Sequence, residues 1–410
     1  MKRLCSVLLA CCLIAPAASA SGPERASVPD KYKAVSDALR RYPRQIPIAG
    51  NGVDIIDGGK DKLSMMVADL ESATSYILLD YYRIKDDETG RRIRDVLVRK
   101  AREGVKVKLC YENVVNYAER RRFFEDMARE GIEVRYFTDT DSLPIWTLFS
   151  RLKFRDHRKL AIIDGTVAYL GGMNLSNHYV NDWKDTHVRI CGPAVESVQE
   201  LFNANWRYAG GENVAFVPVE HGPVVESGFK DKTVQIISTG HGESALEQCL
   251  ASLFSSAKTY LYIQTPYFEP TALVMESLKK AAASGTDVRL LVPRDTDMSF
   301  VTKTNRSFFE ELVSSGVRVW EYLPRFNHGK VFVTDGDLAG IGSVNMDHLS
   351  LEVNYEDCAL FFDEELAGKC RESFISLLEE SREVLPADIE GWSRWTKASC
   401  RFHRFFAPIL

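Results

Sequence analysis

The stretch FRDHRKLAIIDGTVAYLGGMNLSNHY, from Phe154 to Tyr179, is the most informative part of the chain because it occurs twice. It begins with charged residues, continues with an apolar, β-branched run that predicts a strand, and closes on a pair of glycines. The second copy, FNHGKVFVTDGDLAGIGSVNMDHLSLEVNYE, runs from Phe326 to Glu356. A repeat of this length predicts two similar structural units.

The two copies share chemically matched residues at a constant offset of 171 positions. Each has a histidine, a lysine two residues later, an aspartate before a turn, a glycine, an asparagine and a distal carboxylate. The matched pairs are His157 and His328, Lys159 and Lys330, Asp164 and Asp335, Gly171 and Gly342, Asn174 and Asn345, and Asp185 and Glu356. A single H-x-K would mean little, but six matches at one offset indicate two halves of one site.

Upstream of each copy the sequence alternates between strand-like and helix-like patterns. This alternation predicts an α/β fold of two similar lobes, each a mainly parallel or mixed sheet flanked by helices, with the site between the lobes. The expected divisions are a signal segment 1–20, an N-terminal extension 21–50, a first lobe 51–215, a linker 216–232, a second lobe 233–386 and a C-terminal tail 387–410.

The composition and the N-terminus narrow the class of protein. The 410 residues are 45% hydrophobic with a net charge of −5, which argues against a protein that coats nucleic acid through bulk charge.

The segment MKRLCSVLLACCLIAPAASASGPE has a basic start, a short apolar run and a small-x-small site, which predicts an export signal cleaved after Ala20. An uncleaved anchor and lipidation at Cys11 are the open alternatives.

The remaining cysteines do not indicate a metal site. Three of the nine cysteines fall in the predicted signal, and the other six lack C-x-x-C spacing. We therefore expect buried thiols rather than zinc ligands, and we expect no cofactor.

The matched residues suit the chemistry of a phosphodiester. In a strand alternate side chains share a face, so each histidine and its lysine project together. One histidine can attack phosphorus while the other transfers protons, and the lysines and asparagines can neutralise the phosphoryl oxygens. Asp185 and Glu356 are placed to hold the imidazole tautomers. Asp164 and Asp335 are candidates as well, although an aspartate before glycine is also a turn signal.

Both copies fit H-x-K-x4-D-x6-G-[GS]-x-N, and the chain thereby resembles the phospholipase D superfamily and, more closely, bacterial cardiolipin synthases. The similarity extends through GNGVDIIDGG, DWKDTHVRICGPAV, IQTPYFEP and FFEELVSSGVRVWEY. The resemblance implies a two-lobed fold with one active site and a reaction that joins two phosphatidylglycerols into cardiolipin and glycerol without a metal. It also implies that His157 is the nucleophile and His328 the general acid and base.

The chain departs from that family at two points. A signal-like segment stands where the family commonly has N-terminal membrane helices. After Asn345 the family usually reads N-x-D-x-R-S, whereas this chain has Leu349 at the position of the arginine. The first difference concerns topology, and the second concerns binding of the acceptor.

Two segments predict contact with a membrane surface. The tail WSRWTKASCRFHRFFAPIL interleaves aromatic and basic residues, as in a helix at a lipid interface, although a helix capping the second lobe is the alternative. The loop DSLPIWTLFSRLKF, around Trp146, is apolar and aromatic, and it either enters the membrane surface or packs against the core.

Three functions agree with the sequence. The first is a phosphatidyltransferase that forms cardiolipin from phosphatidylglycerol; the second is a secreted phospholipase D that releases phosphatidic acid. The third is an exported nuclease, for which more basic charge and no apolar tail would be expected, so nucleic acid is an unlikely partner. The signal predicts that the protein is exported and associated with the periplasmic side of a bacterial inner membrane.

Overall fold

The two halves of the chain form one continuous β-sheet. The computed structural model describes residues 26–38, 45–138, 154–219, 227–239, 245–405 and 407. Within these residues fifteen strands share the sheet, and two further strands form a small parallel ribbon. The predicted signal and most of the apolar loop around Trp146 lie outside the described residues.

The first half contributes seven strands, and an N-terminal helix precedes it. The elements are α1 (Asp30–Ala38), β1 (Ile48–Ile56), α2 (Gly59–Ser72), β2 (Tyr76–Tyr81), α3 (Glu88–Arg102), β3 (Lys106–Tyr111), α4 (Glu125–Arg129), β4 (Glu133–Tyr136), β5 (Lys159–Ile163), β6 (Val167–Gly171), β7 (His187–Cys191) and α5 (Val195–Tyr208). Strands β2, β3 and β4 are parallel, whereas β5, β6, β7 and β1 continue the sheet in antiparallel pairs.

The second half repeats this arrangement. Its elements are β8 (Phe229–Ser238), α6 (Ala245–Ser256), β9 (Tyr260–Gln264), β10 (Phe268–Glu269), α7 (Ala272–Ala283), β11 (Asp287–Pro293), α8 (Ser299–Arg306), α9 (Phe309–Ser314), β12 (Arg318–Tyr322), β13 (Val331–Thr334), β14 (Leu338–Gly342), β15 (Met346–Asp347), β16 (Asp357–Phe361), α10 (Glu364–Glu379), β17 (Ser381–Val384), α11 (Pro386–Glu390) and α12 (Arg394–Arg404). Strands β9, β11 and β12 are parallel, as their counterparts are in the first half.

The α/β fold with two similar lobes is therefore confirmed. The strand order β17-β12-β11-β9-β13-β14-β16-β8-β1-β7-β6-β5-β2-β3-β4 reads almost the same from both ends, and the antiparallel pair β1–β8 joins the halves. The two lobes begin at Ile48 and Phe229, so the predicted linker 216–232 overlaps the start of β8.

Three hydrophobic clusters stabilise the sheet. One lies under α2 and α3 in the first half, and another lies under α6 and α7 in the second half. The third is shared, because α5 and α10 supply Trp206 and Phe374 to the opposite face where the lobes meet. A shared core fixes the orientation of the lobes and with it the two motif strands at the centre of the sheet.

Candidate active site

Backbone hydrogen bonds cross from each motif to the other half of the chain. The amide of His157 donates to the carbonyl of Tyr355 at 3.0 Å, and the amide of His328 donates to the carbonyl of Lys184 at 2.6 Å. Each of these acceptors immediately precedes one of the distal carboxylates. The crossing therefore places each histidine beside the carboxylate of the opposite half.

The side chains follow the same crossed pattern. Nδ1 of His157 lies 2.9 Å from Oε1 of Glu356, and Nδ1 of His328 lies 2.6 Å from Oδ2 of Asp185. Both carboxylates are fully buried. A carboxylate on Nδ1 leaves Nε2 of each ring for the substrate, which is the arrangement required of a nucleophile or a proton-transfer group.

Small residues at the ends of β6 and β14 make room for the two carboxylates. A Cβ atom on Gly172 would overlap the Asp185 carboxylate, so this position requires glycine. In the second half Ser343 takes the equivalent position, and its hydroxyl donates to Oε2 of Glu356 at 2.5 Å. Gly172 in the first motif therefore leaves space for the Asp185 carboxylate, and Ser343 in the second motif holds the Glu356 carboxylate.

Both lysines are buried against their own motif. Nζ of Lys159 donates to the carbonyl of His157, and Nζ of Lys330 donates to the carbonyl of His328 at 2.6 Å. Burial lowers the pKa of Lys159 to about 8 and that of Lys330 to about 7. A negatively charged phosphoryl group would restore the full positive charge on both.

Burial also favours the neutral forms of the paired groups. Burial and the two lysines lower the pKa of His157 well below its usual value, and burial together with Lys330 does the same for His328. Burial raises the pKa of Glu356 and of Asp185 to about 7. A neutral imidazole has a lone pair available for attack on phosphorus.

The two asparagines line the same cavity as the histidines. Oδ1 of Asn174 accepts from the amide of Arg83 at 3.0 Å, and its Nδ2 donates to the Tyr179 hydroxyl at 2.7 Å. Nδ2 of Asn345 lies 3.3 Å from the Ser350 hydroxyl. The asparagines therefore face the space between the lobes, as the sequence predicts.

The predicted catalytic position of Asp164 and Asp335 is corrected by the structure. Asp164 accepts hydrogen bonds from the amides of Ser75 and Tyr76, each at 2.8 Å, and Asp335 accepts one from the amide of Thr259 at 2.8 Å. Both have positive φ, 52° and 54°, at the turns after the motif strands. Along an extended strand Asp164 is about 17 Å from Lys159, so these aspartates hold turns outside the site.

A cavity of about 600 Å³ lies between the lobes and is lined by both histidines. Sequence reasoning did not single out Glu269 and Asp347, which also line it. It also missed Lys62, a buried lysine that lies 3.0 Å from the Tyr81 hydroxyl and whose charge acts on Asp185. Glu269 stood in the quoted IQTPYFEP, but the residue at the equivalent position of the first half is Lys85, so no matched carboxylate marked it.

The fold and the duplicated site define a phospholipase D-like enzyme. A family model described as "Cardiolipin synthase, PLD-like domain" matches residues 66–206 and 250–378, which together include both histidine motifs. The chain belongs to this cardiolipin synthase family, and it is a phosphatidyltransferase.

Cardiolipin synthases of several bacteria are similar along most of the chain. The enzyme of Listeria welshimeri is 33% identical over 368 residues, covering 88% of this chain and 76% of the relative. The major cardiolipin synthase of Bacillus subtilis is also 33% identical, over 369 residues with the same shares covered. The cardiolipin synthase of Geobacillus kaustophilus is 35% identical over 349 residues, covering 83% of this chain and 68% of that protein.

Solved structures share the fold at low sequence identity. A phosphatidylserine synthase from Haemophilus influenzae aligns with a TM-score of 0.65 at 12% identity, covering 93% of this chain and all of that one. A polyphosphate kinase from Porphyromonas gingivalis aligns with a TM-score of 0.54 at 16% identity, covering 97% of this chain and 58% of that one. At these identities the alignments show the fold alone.

Proposed function

We propose that this protein transfers the phosphatidyl group of one phosphatidylglycerol to the headgroup hydroxyl of another, forming cardiolipin and glycerol through a phosphohistidine. Its curated relatives are cardiolipin synthases, which supports this substrate and product. The observation that carries the proposal is the crossed arrangement of two histidine–carboxylate pairs around one cavity.

In the first step Nε2 of His157 attacks phosphorus, and the bond between phosphorus and the glycerol oxygen breaks. His328, which carries its proton on Nε2 at this stage while Asp185 lies on Nδ1, gives that proton to the departing oxygen. Lys159, Lys330 and the two asparagines stabilise the negative charge that accumulates on the phosphoryl oxygens. The products of this step are free glycerol and a phosphatidyl group bonded to His157.

In the second step the headgroup hydroxyl of another phosphatidylglycerol takes the place of glycerol. His328 removes its proton as the oxygen attacks phosphorus, and the bond between phosphorus and His157 breaks. The products are cardiolipin and the restored imidazole. The first step exchanges a P–O bond for a P–N bond and the second step reverses this, so the net reaction exchanges one phosphodiester for another and no external energy source is required.

The surroundings of the two imidazoles support the assignment of the nucleophile. Among the described residues none hydrogen-bonds to Nε2 of His157, whereas Nζ of Lys330 lies against the His328 ring, 2.9 Å from Nδ1 and 3.0 Å from Nε2. The His157 side chain is 12% exposed and that of His328 is 5% exposed. The more accessible imidazole of His157 is the better placed to attack.

Trapping of the covalent intermediate tests this assignment. The purified protein is mixed with phosphatidylglycerol vesicles, quenched, digested and examined by mass spectrometry for a phosphatidyl group on histidine. We expect the adduct on His157 in the wild type, no adduct in His157→Ala, and accumulation in His328→Ala with a substrate that carries a reactive leaving group. An adduct on His328 in the wild-type protein would reverse the two roles.

The proposal includes a membrane-associated, exported protein at the periplasmic side of a bacterial inner membrane. The N-terminal signal predicts export, and residues 1–20 lie outside the described residues. The described residues contain no helix long and apolar enough to cross a membrane. Support for surface contact comes from α12, where the side chains of Trp395 and Phe402 are 84% and 61% exposed.

The helix that carries the exposed aromatic side chains packs against a helix that contributes to the cavity wall. Helix α12 packs against α8, and the ring of His403 lies 4.5 Å from that of Phe300. Met298 and Val301, at the start of α8, line the cavity, and Met298 is half exposed. A lipid surface that contacts α12 would therefore lie near the route by which a phospholipid headgroup reaches the histidines.

A further inference from the structure

Two acidic residues of the small parallel ribbon lie side by side in the wall of the cavity. Strands β10 and β15 pair in a register that makes Glu269 and Asp347 direct neighbours. Paired strands are about 4.8 Å apart, so their carboxyl groups lie within reach of one bound group. Both side chains line the cavity that holds His157 and His328.

Glu269 has an unused hydrogen-bonding atom in this position. It is 1% exposed, and among the described residues its Oε1 has no hydrogen-bond partner. Asp347 is 5% exposed and accepts from the amide of Ser350 at 2.7 Å. A buried carboxyl oxygen without a partner is unfavourable in a folded protein, and a ligand that donates to it removes this cost.

The described wall of the cavity is divided by charge between the two lobes. Apart from histidine, the charged lining residues of the first lobe are Arg83, Lys85 and Arg155, and those of the second lobe are Glu269, Asp297 and Asp347. The basic side suits the phosphate of the donor lipid. The acidic side belongs to the same lobe as His328, which exchanges protons with the departing and incoming alcohols, so the alcohol lies against it.

The protonation of the pair favours a hydroxyl group over a cation. Burial and the nearby Asp347 raise the pKa of Glu269 to about 9, and burial raises the pKa of Asp347 to about 6. At neutral pH the pair then offers one carboxylic acid, which donates, beside one carboxylate, which accepts. A hydroxyl both donates and accepts, whereas an ammonium group only donates.

We infer that Glu269 and Asp347 form the subsite for the exchanged alcohol, and that they select a glyceryl headgroup by hydrogen-bonding the hydroxyl next to the reacting one. This inference rests on the proposed transfer reaction. Leu349 also lines the cavity, two residues after Asp347, and its apolar side chain supplies no positive charge to the acidic pair. The carboxyl groups of Glu269 and Asp347 can therefore form hydrogen bonds with the ligand and are not neutralised by a side chain at position 349.

Competition between alcohols for one phosphatidyl intermediate tests the inference. Phosphatidylglycerol vesicles and the full-length protein are incubated with equal concentrations of deuterated glycerol, 1-propanol and ethanolamine, and the phosphatidyl products, including phosphatidic acid, are quantified by mass spectrometry. Product ratios do not depend on how much protein is folded. The variants are Glu269→Leu and Glu269→Gln, with Glu276→Leu on the exposed face of α7 as the control.

In the wild type we expect glycerol to exceed 1-propanol at least about tenfold, because a site built for a hydroxyl rejects the analogue that lacks it. Glu269→Leu should bring this ratio close to one, while Glu269→Gln and Glu276→Leu should preserve it. The melting temperature of Glu269→Leu should change little, since loss of the hydrogen bond with Thr304 is offset by removal of an unpartnered buried oxygen.

Three results would overturn the inference. An unchanged glycerol preference in Glu269→Leu removes the residue from the subsite. A wild-type preference for ethanolamine that disappears in Glu269→Gln replaces the hydroxyl subsite with a cation subsite. If the wild type yields no phosphatidyl product from any alcohol or from water, the proposed function fails, and the inference fails with it.

Discussion

At the scale of single residues, the two halves of the site are equivalent in composition and different in their surroundings. The histidine, lysine and asparagine of one half each have a counterpart in the other, and both histidines are held through Nδ1. The difference lies beside the rings, because Nζ of Lys330 lies against the ring of His328 at about the same distance from its two nitrogens. Which histidine is the nucleophile and which transfers protons therefore depends on the residues around each ring, and the two matched motifs do not show this difference.

The ionisation of the two lysines predicts an unusually low alkaline limit of activity. Their pKa values are lowered by burial to about 8 for Lys159 and about 7 for Lys330, so a rise in pH above this range removes the positive charges that stabilise the phosphoryl oxygens. On the acid side, protonation of Glu356 below its pKa of about 7 weakens its hold on His157. We expect a narrow optimum near neutrality.

The measurement is kcat/KM for a water-soluble phosphodiester between pH 5 and 10, which reports the ionisation of the free enzyme, with folding followed by circular dichroism at each pH. A soluble substrate is needed because the charge of the vesicle surface also changes with pH. Full activity up to pH 10, where an ordinary lysine loses its proton, would contradict the role assigned to the buried lysines.

Asp164 is expected to support stability rather than chemistry. Its carboxylate accepts from the backbone amides of Thr74, Ser75 and Tyr76, so Asp164→Ala leaves these donors without a partner and should cost about 3 kcal/mol of unfolding free energy. The rate per folded molecule should remain within about twofold of the wild type, since the residue is remote from the cavity.

Chemical denaturation and an assay corrected for the folded fraction measure the two effects separately. Asp335→Ala provides an internal comparison, because Asp335 makes the same kind of turn in the second lobe. A stable Asp164→Ala protein with activity reduced a hundredfold would return this aspartate to the catalytic machinery.

At the scale of secondary-structure elements, the C-terminal segment has two different sides. Ile389, Cys400 and Ala407 are buried, and Trp392 packs against the core of the second lobe, which is the capping arrangement that the sequence left open. The opposite side exposes Trp395 and Phe402, seven residues apart and therefore on one face of α12. Contact of this face with a membrane stays a proposal.

Replacement of these two side chains tests the membrane contact without uncovering the core. Trp395→Ser combined with Phe402→Ser should weaken binding to phosphatidylglycerol vesicles at least about tenfold, since each ring buried in lipid contributes on the order of 1–2 kcal/mol. Cleavage of a soluble phosphodiester and the melting temperature should be unchanged, because both side chains are exposed.

Val217→Ser is the matched control. Val217 is also an exposed apolar residue, 57% accessible. It lies close in sequence to the backbone that contacts the turn at Asp164, which is remote from the cavity. Vesicle flotation and the soluble assay give the two readings. Equal vesicle binding by the double variant and the wild type would assign α12 a capping role only.

The same elements show what the sequence could and could not predict. The apolar, β-branched runs after His157 and His328 predict the two motif strands, and the repeat predicts two similar lobes, as the structure confirms. Which carboxylate pairs with which histidine depends on contacts between residues 199 and 143 positions apart. Local patterns cannot specify such contacts.

The neighbouring carboxyls of Glu269 and Asp347 were hidden for a related reason. Each follows an ordinary apolar residue in a two-residue strand, and only the pairing of the two short strands brings them together. Asp164 is a different case. The sequence allowed both a catalytic and a structural interpretation of this residue, and its positive φ favours the structural one.

At the scale of the whole molecule, one continuous sheet makes the two lobes a single rigid support for the site. Strands β1 and β8 join the halves, and the shared core under α5 and α10 stabilises the junction. Each histidine depends on a carboxylate from the opposite lobe. Activity should therefore require both halves of the chain together, and neither half alone contains a complete histidine–carboxylate pair.

The enclosed position of the site bears on the choice between lipid and water as the acceptor. His328 is buried and the side chain of His157 is only 12% exposed. Bulk water is present at about 55 M, so an acceptor lipid succeeds only where water is excluded and the hydroxyl is held in position. The cavity between the lobes and the acidic pair on its second-lobe side provide such an environment.

The most direct test is the lipid product formed by purified protein from phosphatidylglycerol vesicles without any other acceptor, read by mass spectrometry over a range of lipid densities. We predict that cardiolipin exceeds phosphatidic acid, that one glycerol is released for each cardiolipin, and that Lys330→Ala or Asn345→Ala lowers both lipid products together. Phosphatidic acid as the main product at every lipid density would contradict this account and make the protein a hydrolase.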